Sequence, residues 1–183
     1  MRSIAIDVDG TVSNMHQSLL DLYNEDWHDN LTADKITDWD IAQFVKPECG
    51  EKIYEYFSHP DLYRNSELIS GSLKNVTILR KSGFHIIWAT TAAKGSEGRK
   101  KEYLSQKYLL YPHDEYIETG MKYLIDADYM IDDFWENFYG FTGTKILYQQ
   151  PWNIGHRDEC DISFNNWDSI SKFIINDNYY RTE

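Results

Sequence analysis

The stretch Arg2-Ser3-Ile4-Ala5-Ile6-Asp7-Val8-Asp9-Gly10-Thr11 decides the reading of this chain. An apolar run ends in two carboxylates, a glycine and a hydroxyl. Such a run reads as a buried strand of a parallel sheet, and ligands of an open α/β sheet bind beyond the carboxyl ends of its strands. Asp7 and Asp9 would repel each other in a half-buried crevice unless a cation or a shared proton lay between them. Hard oxygen ligands at such a place point to a divalent ion, Mg2+ first, with an oxyanion substrate beyond it. At average residue usage the four fixed positions of Asp-x-Asp-Gly-Thr arise by chance in on the order of one per thousand chains of this length. The bland alternative, an acidic turn after an edge strand, has to compete with that rarity.

Composition narrows the class. The chain has 183 residues, 42% of them hydrophobic and 15% aromatic, enough for a sizeable core in one domain with an insertion. Thirty acidic against 18 basic residues give a net charge of −12, which disfavours a nucleic acid polymer as partner. A small anion needs only a local positive site made of a metal and one or two lysines. Cys49 and Cys160 belong to no metal-spacing motif and imply no disulfide framework. The opening apolar run is too short for a secretory signal and no segment reaches the length of a membrane span, so a cytoplasmic setting without membrane association is expected. The sequence leaves open whether the chain forms a homodimer.

Strands and helical patterns alternate along the chain. Strands are expected at residues 3–7, 84–90, 115–118, 128–132 and 145–149. Helical stripes fall at Leu73, Val76 and Leu79, at Tyr103, Leu104 and Tyr108, and at Ile170, Phe173 and Ile174 with Asn165 or Asn166 as N-cap. The expected fold is therefore α/β, a Rossmann-like parallel sheet with helices on both faces. Residues 15–70 interrupt this alternation with mostly helical patterns, including an Asp40–Gln43 capping signal. The expected organisation is a catalytic core of residues 1–14 and 71–183 with a small helical cap at 15–70, placed to act as a lid.

Three more groups fall where strand ends are expected. Thr90-Thr91 ends the second strand and offers a hydroxyl and an N–H to a phosphoryl oxygen. Lys122 follows Thr119-Gly120-Met121, and Asp132-Asp133 ends the fourth strand, repeating the logic of Asp7 and Asp9. Each is weak alone, since threonines are common in strands and a lone lysine is ordinarily solvated. In the order Asp-x-Asp-Gly-Thr, Thr, Lys, Asp-Asp, the whole chain resembles the haloacid dehalogenase superfamily of phosphatases. The segments Thr119-Gly120-Met121-Lys122, Ala127 to Asp133, Thr90-Thr91-Ala92-Ala93-Lys94 and Leu62-Tyr63-Arg64 are similar to those of its 5′(3′)-deoxyribonucleotidases. Thr11 departs from the valine frequent in that family, and Thr91-Ala92 replaces its Ser-Pro.

The resemblance implies Asp7 as nucleophile, Asp9 as general acid and base, and Thr90, Thr91, Lys122 and Lys94 as phosphate-binding groups. It implies Mg2+ held by Asp7, Asp9 (through its backbone carbonyl), Asp132 and Asp133. The implied reaction is Mg2+-dependent dephosphorylation of deoxyribonucleoside 5′(3′)-monophosphates through an aspartyl-phosphate. Trp39, Phe44 and Tyr63 are the candidates for stacking on a base, against the alternative that they pack the cap on itself. Two other readings stay open: a phosphatase of another small phosphomonoester such as a sugar phosphate, and a catalytically silent nucleotide-binding protein. A signalling receiver has its acids in the opposite order, and no Gly-x-Gly-x-x-Gly follows the first strand as a dinucleotide site requires.

Overall fold

A six-stranded, wholly parallel sheet organises the chain in a computed structural model that describes residues 2–181. The strands are β1 (Ser3–Ile6), β2 (His85–Thr90), β3 (Glu115–Glu118), β4 (Tyr129–Asp132), β5 (Thr144–Tyr148) and β6 (Ile162–Phe164), in the order β3-β2-β1-β4-β5-β6. The order reverses at β1, which has β2 on one side and β4 on the other. A crevice opens at such a reversal because the connections leave toward opposite sides. Five of the strands were expected from their apolar runs. The sixth was not, because Ile162-Ser163-Phe164 is a half-buried edge strand with no run to mark it.

Side-chain alternation divides the core in two. Ile4, Ile6, Ile86, Trp88, Tyr129, Ile131, Ile146 and Tyr148 face one layer, and Ala5, Ile87, Ala89, Met130 and Leu147 face the other. The first layer is covered by α-helices: α1 (Met15–Trp27), α2 (Leu62–Asn65), α3 (Ser72–Lys81), α4 (Arg99–Gln106) and α5 (Trp167–Arg181). The second is covered by Ile125 and Ala127, which follow the 3₁₀ turn Lys122–Leu124, by the 3₁₀ turn Trp135–Phe138 and by Phe141. Helical segments thus lie on both faces, but long helices on one only. The α5 entry is capped as expected, with Ser169 N–H donating to Asn166 Oδ1 at 2.8 Å.

Residues 15–70 add no strand. They hold α1, α2 and 3₁₀ turns at Ala33–Lys35, Ile41–Gln43 and Gly50–Ser58. Their buried residues Leu19, Leu20, Tyr23, Ile41, Ile53 and Leu62 join the same apolar cluster as β1 and β2. Cys49 and Cys160 are both free thiols. None of the described helices is long and apolar enough to cross a membrane.

Candidate active site

The backbone of β1 ends at Ile6, and Asp7 continues its line with its N–H donating to the Ile131 carbonyl of β4 at 2.9 Å. Adjacent parallel strands therefore deliver Asp7 and Asp132 side by side. Carboxylate oxygens of Asp7, Asp132 and Asp133 all lie within 4.8 Å of one another, and all three residues are buried. The chain then turns at Gly10, whose φ of +67° suits glycine, and a Cβ there would stand 2.2 Å from Asp133 Oδ2. Gly10 is needed both for the turn and for the room it leaves that carboxylate.

Lys122 is inserted among these acids. Its ammonium, 2% exposed, lies 2.6 Å from Asp7 Oδ1 and 2.7 Å from Asp132 Oδ2. Burial alone would lower its pKa, but Asp132 and Asp7 outweigh that penalty and raise it, so Lys122 stays charged. One ammonium cannot hold three buried carboxylates ionised. Burial raises Asp132 to about 6 against the pull of Lys122, and burial with the charges of Asp7 and Asp132 raises Asp133 well above the usual carboxylate range. Asp132 is fixed by Phe134 N–H at 2.9 Å and the Asn137 amide at 3.0 Å; Asp133 is held by Trp152 Nε1 at 2.9 Å. The set is all hard oxygen and carries more negative charge than the protein neutralises, so these residues fit a divalent cation.

Asp9 points elsewhere. Its Oδ2 accepts from Tyr63 OH at 2.9 Å and pairs with Lys100 Nζ at 2.7 Å, while Oδ1 is buried with no hydrogen-bond partner among the described residues. Its carboxylate is not in the three-acid cluster. Lys100 also donates to Thr90 Oγ1 at 2.9 Å and to the Thr91 carbonyl.

A cavity of about 340 Å³ opens onto these groups, with Asp7, Asp9, Thr91, Lys100, Lys122, Asp132 and Asp133 in its wall. Its other side is apolar, formed by Met15, His16, Trp39, Phe57 and Phe134. Trp39 stacks on Phe134 with ring centroids 4.1 Å apart and planes 19° from parallel. His16 packs on Trp152 at 4.1 Å; burial first, and the Lys100 charge second, lower its pKa to about 4, so its ring is neutral near pH 7.

The fold brings Asp7, Asp9, Thr90, Thr91, Lys122, Asp132, Asp133 and Trp39 to this one region. Three expected residues stand differently. Lys94 is exposed on the loop after β2, and Lys100, in the first turn of the following helix, reaches Asp9 instead. Phe44 packs into the apolar core and does not line the cavity. Tyr63 is buried with its ring 6.0 Å from that of Tyr103, and it meets the site through its hydroxyl, not its face. Lys100 was hidden because Arg99-Lys100-Lys101 reads as a solvated helix face. His16 and Phe57 fall on helical stripes that read equally well as core.

A family described as 5′ nucleotidase, deoxy (pyrimidine), cytosolic type C protein matches residues 2–179. A 5′(3′)-deoxyribonucleotidase of Clostridium acetobutylicum is 32% identical over 155 residues, covering 82% of this chain and 83% of that protein. A 5′(3′)-deoxyribonucleotidase of Bacillus subtilis is 29% identical over 175 residues, covering 94% and 98%. Among solved structures, a haloacid dehalogenase-type hydrolase of Bacillus subtilis bound to magnesium superimposes with a TM-score of 0.64 at 15% identity, covering 96% of this chain and 98% of that one. A hydrolase of Pseudomonas syringae gives 0.62 at 14% identity, covering 95% and 98%. These two likenesses concern the fold. On the sequence matches, the chain belongs to the 5′(3′)-deoxyribonucleotidase family, and it is a phosphomonoester hydrolase.

Proposed function

We propose that the chain is a Mg2+-dependent phosphomonoesterase that dephosphorylates deoxyribonucleoside 5′(3′)-monophosphates through an aspartyl-phosphate on Asp7. The observation that carries this reading is the meeting of Asp7, Asp132 and Asp133 around Lys122, with Asp9 held apart from them by Tyr63 and Lys100. Asp7, Asp132 and Asp133, with the Asp9 backbone carbonyl, are the groups that would hold Mg2+. When bound, the ion neutralises phosphoryl oxygens and lowers the cost of charge building up on them.

The chain's own groups do the rest. Lys122 holds Asp7 Oδ1, which leaves the other oxygen to attack phosphorus. An Asp7–O–P bond forms as the P–O bond to the sugar breaks. Asp9 gives its proton to the departing sugar oxygen, then takes one from the water that attacks the phospho-aspartate and frees Asp7. Lys122, Lys100 and the Thr90-Thr91 segment offset charge on the transferring phosphoryl group.

Residues 15–70 act as the lid. They supply Trp39, Phe57 and Tyr63, and they are tied to the core by Arg99, which donates to the carbonyls of Ser58 and His59 at 2.7 and 3.0 Å. The Trp39–Phe134 wall provides the face on which a base stacks. The family description speaks of a cytosolic type, and the same setting is read for this chain.

The test is phosphate release across deoxyribonucleoside 5′- and 3′-monophosphates, ribonucleotides and sugar phosphates, with and without Mg2+. Highest turnover on deoxyribonucleotides, lost on chelation, is expected. Activity confined to sugar phosphates overturns the substrate assignment; metal-dependent phosphate binding without turnover overturns the enzyme assignment.

A further inference from the structure

We propose that Trp152 is a positioning residue for the divalent cation: its indole N–H holds the Asp133 carboxylate in the three-acid cluster and so prepares the site before the ion arrives. The inference rests on the reading of Asp7, Asp132 and Asp133 as Mg2+ ligands given above.

The three acids are not held alike. Asp7 and Asp132 share the Lys122 ammonium, at 2.6 and 2.7 Å, and Asp132 also accepts from Phe134 N–H and the Asn137 amide of its own loop. Asp133 has none of these. Among the described residues, the one donor to its carboxylate is Trp152 Nε1, 2.9 Å from Oδ2, and it comes from the 3₁₀ segment Pro151–Glu159 after the neighbouring strand β5. Carboxylate oxygens of all three acids lie within 4.8 Å of one another, so like charges push Asp133 outward. Asp133 is therefore the ligand whose place depends most on a single hydrogen bond.

That donor is itself fixed. Trp152 is 5% exposed, and the His16 ring packs on its indole at 4.1 Å. The next residue, Asn153, is fully buried. Its amide donates to the Asp133 carbonyl at 2.7 Å and to the Tyr148 carbonyl at 2.9 Å, while its Oδ1 accepts from Gln150 N–H at 3.0 Å. Two consecutive residues thus hold Asp133 at both its backbone and its side chain. Gln150 Nε2 donates to the Gly10 carbonyl at 2.6 Å, so the same turn also grips the loop after β1. The indole takes one lone pair of Oδ2 and leaves the rest of the carboxylate, which lines the cavity, to a cation. A ligand that is already ordered spares the ion the cost of ordering it.

The experiment measures Mg2+ affinity by isothermal titration calorimetry on the whole chain, unsubstituted and as Trp152→Phe, which keeps a ring against His16 and removes the N–H. Affinity is expected to fall about 10- to 100-fold, the usual cost of losing a partner that orients a metal ligand. The fitted stoichiometry counts the competent molecules, so the affinity does not depend on how much of the variant is folded. Trp88→Phe is the control. It removes an equally buried indole N–H, bound to Asp114 Oδ2 at 3.0 Å, and neither residue is part of the cavity wall. Its Mg2+ affinity stays within about threefold, below the loss expected of an orienting partner. Where Trp152→Phe does not fold, Trp152→Met, an adaptable apolar filler without a donor, takes its place. Unchanged Mg2+ affinity in the Trp152 variant, or the same loss in both tryptophan variants, overturns the role of Trp152. No Mg2+ binding by the unsubstituted chain overturns instead the metal reading on which it rests.

Discussion

Nζ of Lys122 lies 2.6 Å from Oδ1 of Asp7 across 115 residues of sequence, and both groups are buried. A lysine that reads as solvated is thus the counter-charge at the centre of the site. In the proposed mechanism Asp7 has two demands on it: to pair with Lys122 and to keep one oxygen free for phosphorus.

Asp7→Asn separates these demands. It removes the carboxylate proposed to attack phosphorus while relieving repulsion among three buried acids. Turnover is expected to fall by at least ~10³-fold, with a melting temperature no lower than that of the parent. Phosphate release on protein verified free of deamidation, together with thermal melting, checks both. An active variant removes Asp7 as nucleophile.

Lys122→Met should do the reverse. It leaves buried carboxylates without their ammonium, at a cost of ~3–5 kcal/mol near neutral pH. The cost shrinks as the pH falls and the carboxyls take up protons. Added Mg2+ should recover part of it, as binding to the folded state alone stabilises by mass action. Denaturant titrations with and without Mg2+ measure each effect. Asp132 carries a carboxyl pushed up to about 6, so the Mg2+ response of the parent should weaken below about pH 6 as protons compete for the site.

Gly10→Ala places a methyl group 2.2 Å from Asp133 Oδ2 in a backbone region strained for L-residues. A loss of roughly 1–3 kcal/mol is expected from the backbone alone. The stabilisation by Mg2+ should disappear with the displaced carboxylate. Unchanged Mg2+-dependent melting would contradict the place given to Asp133.

His16 sets a pH limit on stability. Burial lowers its pKa from 6.5 to about 4, so the unfolded chain takes up its proton first. Its contribution is complete above about pH 6.5 and is lost as the pH falls toward 4, by on the order of 3 kcal/mol. His16→Leu removes this slope. The difference between the two urea stability curves at pH 7 and pH 4.5 isolates it from other groups; a constant difference is the contrary result.

Trp39→Ala tests the stacking wall. KM for a deoxyribonucleotide should rise about tenfold, in line with the loss of one base–aromatic contact, while KM for p-nitrophenyl phosphate stays as it was. Equal shifts for both would show that Trp39 supports the cavity without reading a base.

Much of the site follows from local sequence. The apolar runs that end at Asp7, Thr90 and Asp132 can be buried only as central strands, and a parallel sheet then aligns their carboxyl ends. Short-range signals were weakest where burial is partial: Ile162–Phe164, an edge strand of three residues, carries no pattern distinct from a loop.

What the sequence by itself determined is the ladder of strands and the acids at their ends, because strand burial and side-chain alternation are properties of neighbouring residues. Which of several like side chains enters the crevice was decided by the tertiary structure alone. Lys100 reaches Asp9 while Lys94 stays in water, and Tyr63 turns its hydroxyl, not its ring, to the site. The choice among such equals depends on how α2 and α4 are rotated against the sheet, and distant packing sets that rotation.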